Sequence, residues 1–157
     1  MKQRFSKRTR LVSALLTLAM VCTFLPFSAF AAEVGGIPID ETNFPDSNFR
    51  AYVMAEIDKD SSNSLSDSER NAVTEINVHA KSIDSLKGIE FFPNLEKLEC
   101  SNNKLTELDV SKNAKLWRLD CDQNKLSSLD VSKNSALGYL YCSKNQLTNL
   151  DVSKNTK

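Results

Sequence analysis

A dense run of oxygen donors, DKDSSNSLSDSE, extends from Asp58 to Glu69. Asp58, Asp60 and Ser62 stand at loop positions one, three and five with side-chain oxygens. Ser64 at position seven offers its backbone carbonyl, Ser66 at nine a water-mediated contact, and Glu69 at twelve a bidentate carboxylate. Hard oxygen donors at that spacing suit Ca2+, which accepts many oxygens in flexible geometry. Position six, usually Gly, is Asn63, the next best residue for a positive φ. Only three carboxylates contribute and Ser62 is a poor ligand, so the expected affinity is on the order of 10⁻⁴ to 10⁻³ M. The same residues carry a second reading. Ser66-Asp67-Ser68-Glu69 is a capping box, in which Ser66 and Glu69 satisfy each other's backbone donors at a helix start, and the two readings are compatible.

The other reactive side chains point away from catalysis. Cys100, Cys121 and Cys142 recur every 21 residues and would lie on adjacent strands about 4.8 Å apart. No CxxC or Cys/His spacing accompanies them, and that separation is too wide for relaxed bridging between neighbours. The spacing predicts three buried thiols acting as small hydrophobes. His79 is the single histidine, and no motif places a Ser or Cys nucleophile beside it. Nucleophile-elbow, phosphate-loop and zinc signatures are all missing, so the chain is not expected to be an enzyme.

What positions these groups is a repeat. LEKLECSNNKLTELDVSKNAK from Leu95, LWRLDCDQNKLSSLDVSKNSA from Leu116 and LGYLYCSKNQLTNLDVSKNTK from Leu137 are near copies. The pattern LxxLxCxxNxLxxLxV is that of a leucine-rich repeat, whose coils stack into a solenoid. A parallel β-strand lies on the concave face of each coil, with turns or 3₁₀ segments on the convex side. Strand alternation sends Leu98 and Cys100 inward, with Leu95, Leu105, Leu108 and Val110 inward from the rest of the coil. Stacking should align Leu98, Leu119 and Leu140, and likewise Leu105, Leu126 and Leu147. Asn103, Asn124 and Asn145 stand where the chain leaves the strand and should bond backbone groups of the turn. Asn113, Asn134 and Asn155 fall at the opposite turn, where Asn tolerates left-handed backbone and bonds locally.

Outward strand positions form a candidate recognition face: Glu75, Asn77 and His79, then Lys97, Glu99 and Ser101, then Arg118, Asp120 and Asp122, then Tyr139, Tyr141 and Ser143. Charged and aromatic groups on a rigid sheet suit a protein or glycan ligand. His79, Lys97, Glu99, Arg118, Asp120, Asp122, Tyr139 and Tyr141 are the expected contacts, the two tyrosines foremost, against a background of solvated polar residues and β-prone tyrosines. Trp117 is expected to pack at an edge.

Upstream of the repeats, Phe49, Tyr52, Val53 and Ile57 have helical spacing after a start at Asp46 or Ser47, and a second short helix follows from about Asp67. VTEINVHAKSIDSLKGIEFFPN from Val73 reads as an irregular first coil, with Lys81 where later coils have Asn. The helical segment would cover the apolar edge of that coil. Residues 1–31, five bases and no acid around LVSALLTLAMVCTFLPF, read as a signal peptide containing Cys22. A retained membrane anchor is the alternative. Without that leader, 15 bases face 20 acids, a net charge of −5, which offers no basic footprint for nucleic acid or an anionic membrane. The organisation is therefore a leader (1–31), a linker (32–40), an EF-hand-like helical cap (41–72) and coils at 73–94, 95–115, 116–136 and 137–157.

Leader, EF-hand-like cap and fused short coils together resemble the internalin-type bacterial surface leucine-rich repeat proteins over residues 40–157. The resemblance implies a secreted or cell-surface adhesion or recognition role in a Gram-positive bacterium, through the concave strand face and without membrane insertion once the leader is cleaved. The chain departs from that pattern in its 21-residue coils with Cys in the strand, its few coils, and its lack of an Ig-like domain or wall-sorting signal. Two other functions are open: a calcium-dependent assembly module like a dockerin, although dockerins carry two such loops, and the recognition arm of a longer surface enzyme. The last copy stops directly after its SKN turn, so either more chain follows or the open coil stacks on a partner or on itself.

Overall fold

The computed structural model describes residues 36–157, and the expected signal peptide lies outside them. The chain first builds a small helical unit. Asp46 accepts the Asn48 and Phe49 amides on its side chain at 2.9 Å each and so caps α1 (Ser47–Glu56). Phe49 and Val53, one helical turn apart, bury the same face. Ser66 and Glu69 form the complete capping box of α2 (Asp67–Ala72). Between the helices, β2 (Ser64–Leu65) pairs antiparallel with β1 (Ile37–Pro38), and the Ile39 amide donates to the Asn63 carbonyl at 3.0 Å. The stretch expected as a linker is thus partly a strand, because the short β2 edge needs a backbone partner.

Four coils follow. Their strands, β3 (Glu75–Asn77), β4 (Lys97–Glu99), β5 (Arg118–Asp120) and β6 (Tyr139–Tyr141), form one parallel sheet in sequence order. The register aligns Ile76, Leu98, Leu119 and Leu140, the column the repeat period dictates. A single apolar core runs from Ile39, Phe44 and Phe49 in the cap to Leu137 in the last coil. The convex side holds one 3₁₀ turn, Ile89–Phe91, and otherwise open turns. Leu140, Cys142, Leu147 and Leu150 are only partly buried, and Val152 is exposed, since a terminal coil is covered from one side alone.

Two asparagine ladders join the coils. Asn124 donates to the carbonyls of Cys100 (3.0 Å) and Cys121 (3.1 Å) and accepts the Leu105 amide (3.0 Å). Asn103 and Asn145 repeat the arrangement one coil earlier and one later. The second series departs from the expectation. Asn113, Asn134 and Asn155 reach back to carbonyls of the preceding coil, as in Asn134 to Val110 at 3.0 Å and to Asn113 at 2.9 Å. None of the three is left-handed. Positive φ falls instead at Ala80, Asn102, Gln123 and Lys144, each one residue before the first ladder position. That turn swings the ladder amide inward, so the strained residue and the bonding residue are neighbours rather than one and the same.

Candidate functional site

The solvent face of the sheet brings the expected contact residues into one surface. On its first half the charges pair off. Lys97 Nζ lies 2.9 Å from Glu75 Oε1 and 3.1 Å from Glu99 Oε1, and hydrogen bonds to Glu75 and then Glu99 push the Lys97 ammonium up. Asn77 donates to Glu99 Oε2 at 2.9 Å, and Arg118 Nε sits 3.6 Å from Glu99 Oε1. On the second half the aromatics collect. Arg118 lies over the Tyr141 ring at 5.0 Å, and Trp117 meets Tyr139 edge to face at 5.7 Å. Trp117, Tyr139 and Tyr141 are 40, 53 and 42 % exposed, so Trp117 belongs to this patch and is not the edge-packing residue expected. Its place in the coil is held by Glu96 and Gly138 in the copies on either side, which already marks a position outside the core.

His79 is exposed at the head of the face, and its Nδ1 lies 2.9 Å from Ser101 Oγ. A serine does therefore reach the histidine, although it comes from the next coil. Ser101 is buried rather than outward-facing, and the pair bridges two coils just past the ends of β3 and β4. Asp122 accepts the Ser143 amide and Asp120 accepts the Asp122 amide.

The acidic loop forms a second cluster. Asp58, Asp60 and Glu69 bring one carboxylate oxygen each within 4.8 Å of one another. Asp58 is buried and accepts the Ser62 amide (3.1 Å) and the Asn63 amide (3.0 Å). Asn63 has φ 59° and Ser61 φ 56°, so Asn63 does adopt the backbone of the usual glycine. Hydrogen bonding to Ser62 holds the Asp60 carboxyl below its usual range. Burial opposes the charge on Glu69, yet hydrogen bonds from Ser66 and the Lys59 amide keep its carboxyl low as well. Ser62 donates to the Ser64 carbonyl at 2.9 Å, so both of those donor groups already have a partner. Ser66 is committed to the capping box. The donor set fits a hard cation held chiefly by three carboxylates. Beside it, a cleft of about 450 Å³ opens between the cap and the first coil, walled by Tyr52, Glu56, Lys59, Glu69 and Glu75; no motif marks it, because its walls come from separate segments.

Cys100 and Cys121 are buried and Cys142 is partly exposed, which corrects the expectation of three buried thiols. Burial raises all three; Cys100 goes well above 9.0 and Cys121 is pushed up to about 12. A maleimide added to the native protein is expected to modify Cys142 first, leaving the other two until unfolding; intact mass counts the adducts, and fast triple labelling would show an open ladder. Because the folded Cys121 thiol ionises later than the unfolded one, its stabilising effect is complete below pH 9.0 and is lost as pH rises toward about 12.

In-register parallel strands, inward leucines and asparagine ladders define a leucine-rich repeat solenoid with a helical cap. Over 70 residues, 45% of this chain, the sequence is 41% identical to internalin J of Listeria monocytogenes serotype 4b (strain F2365), and it spans 8% of that protein's length. Among solved structures, the functional domain of InlJ from Listeria monocytogenes, which includes a cysteine ladder, matches with a TM-score of 0.70 and 39% identity, over 76% of this chain and 26% of that one. The crystal structure of an internalin (inlF) from Listeria monocytogenes str. 4b F2365 matches with a TM-score of 0.62 and 28% identity, over 76% and 35%. No family model matches. The chain is a leucine-rich repeat protein similar in sequence and fold to these internalins, of which it spans only a part. Cys100, Cys121 and Cys142, each directly after its strand, were expected to set the chain apart from internalins, yet the InlJ structure is described as including a cysteine ladder. Among the described residues no helix is long and apolar enough to cross a membrane.

Proposed function

We propose that this chain is a non-catalytic recognition module of a secreted or cell-surface bacterial protein and that it binds a protein partner through the solvent face of β3–β6. The observation that carries this reading is the cluster of Tyr139 and Tyr141 on a rigid sheet with Trp117 directly before β5, all at least 40 % exposed. Exposed aromatics beside an arginine are the composition from which interface hot spots are made. Likeness to internalin J supports the surface setting.

Fluorescently labelled protein is expected to bind cultured epithelial cells saturably. Substitution of Tyr139→Ala together with Tyr141→Ala should reduce that binding at least about tenfold, the loss of a hot spot, with the melting temperature unchanged because both rings are exposed. Trypsin treatment of the cells should remove the binding and glycosidase treatment should not; the reverse pattern would make the ligand a glycan. Undiminished binding by the double variant would remove the tyrosines from the site.

A second reading rests on the convergence of Asp58, Asp60 and Glu69. We infer that the loop holds one Ca2+ that stiffens the cap. Pairing of β2 with β1 fills from within the chain the edge that a second calcium loop would use, which favours a cap over a dockerin-like assembly module. At 10 mM calcium, a Kd on the order of 10⁻⁴ to 10⁻³ M stabilises by about 1.4 to 2.7 kcal/mol, a rise of several degrees. Equal melting temperatures in calcium and in EDTA would end this reading. Asp60→Asn should reduce the response while leaving the EDTA value in place, since Asp60 is exposed.

A further inference from the structure

The solvent face divides into halves of different electrostatic character. Glu75, Lys97, Glu99 and Arg118 form a connected chain of ion pairs. Beyond Arg118, Asp120 and Asp122 have no Lys, Arg or His within 4.0 Å among the described residues. Their hydrogen bonds come from backbone amides and not from a cationic side chain. The register sets Tyr141 directly beside Asp120 and Tyr139 beside Arg118, with Trp117 against Tyr139. Two uncompensated carboxylates therefore border three exposed rings.

We propose that this half of the face takes a cationic side chain, an Arg or Lys of a partner protein segment, with its charge against Asp120 and Asp122 and its stem across the rings of Tyr141, Tyr139 and Trp117. The proposal rests on reading the sheet face as the recognition surface and supplies the chemistry of its ligand. An arginine suits both parts of the patch, because its stem is apolar and its planar head pairs with carboxylates and stacks on aromatic faces. Arg118 over Tyr141 at 5.0 Å shows this ring surface already accepting a guanidinium. The surplus of acids in residues 32–157, net −5, would steer a basic segment in and repel an acidic one. A neutral glycan would draw on the rings and on hydroxyl contacts, with little dependence on salt.

Trp117 is the only tryptophan, so its fluorescence reports on the patch directly. The probes are a flexible twelve-residue peptide with Arg at alternate positions, its Glu counterpart, and a neutral cello-oligosaccharide. The Arg peptide is expected to shift Trp117 emission saturably, with affinity falling at least about tenfold between 50 and 500 mM NaCl, as an ionic contact requires. Asp120→Asn with Asp122→Asn should weaken it by a similar factor. No response to the Arg peptide, a salt-independent response, or an equal response in the Asn variant would overturn the proposal, as would a response to the sugar alone. Salt dependence is read on the unsubstituted protein, so the test survives a variant that folds poorly. If the tyrosine substitutions abolish cell binding while the Asn variant retains it, the recognition face stands and the cation proposal falls. If neither pair affects cell binding, both fall.

Discussion

Gly88→Ala is expected to unfold the cap from the first coil, costing about 4 kcal/mol. Two effects combine at this position. Gly88 has φ 106°, a conformation that costs a side chain about 1–2 kcal/mol. A Cβ there would also stand 2.3 and 2.5 Å from two ring carbons of Phe44 and 2.9 Å from the Asn43 carbonyl oxygen. The ring cannot yield, because it is fully buried and packed on Phe49, Phe91 and Phe92 with centroids 5.8, 5.6 and 6.5 Å away. Expelling it approaches the loss seen on truncating a buried Phe, about 3–5 kcal/mol. The cycle with Phe44→Ala separates the effects. In that background Gly88→Ala should cost markedly less, the backbone strain of about 1–2 kcal/mol plus the shift that relieves the 2.9 Å approach to the Asn43 carbonyl oxygen, because the colliding ring is gone. Urea melts of the four proteins measure this, and additive single effects would show that the two residues do not meet in solution.

This contact also marks where the sequence stops being informative. The 21-residue period names every inward column in advance, because identical coils can bury their leucines only by stacking in register. Helix starts were equally readable, since Asp46 and Ser66 cap by local bonds. Phe44 against Gly88 is a contact between the cap and a coil 44 residues later, and no local pattern encodes it. Likewise, nothing in SKN distinguishes an asparagine bonding within its turn from one reaching the coil before; the difference lies in the neighbour. The pairing of Ile37–Pro38 with Ser64–Leu65 joins segments too short to carry a strand signal. For the recognition face, alternation identified which side chains point outward, but it could not show that Lys97 and Arg118 are engaged by Glu75 and Glu99 while Asp120 and Asp122 are left without a cation. That asymmetry arises from side-chain reach across strands.

The second large effect is expected at Asn124, and the comparison with Asn145 makes it diagnostic. Asn124→Ala should destabilise by about 3 kcal/mol and Asn145→Ala by about 1 kcal/mol. Both amides make the same bonds in the sequence repeat, so identity of residue type predicts equal losses. Burial separates them. Asn124 is buried between two coils and is the acceptor for the buried Leu105 amide at 3.0 Å. Removing it strands that amide away from water, whereas the Cys100 and Cys121 carbonyls keep second donors in Asn103 (2.9 Å) and Asn145 (2.9 Å). An isolated buried donor costs about 1–3 kcal/mol, and the void left by the side chain adds to it. Asn145 plays the same part for the Leu126 amide at 3.0 Å, but in the half-open last coil, where water can replace it. Asn124→Asp should be no milder than Ala, because the carboxylate keeps the acceptor for Leu105 but brings negative charge against two carbonyl oxygens. Equal losses at Asn124 and Asn145 would mean that the last coil is covered in solution, and hydrogen exchange at the Leu126 amide would then be as slow as at Leu105.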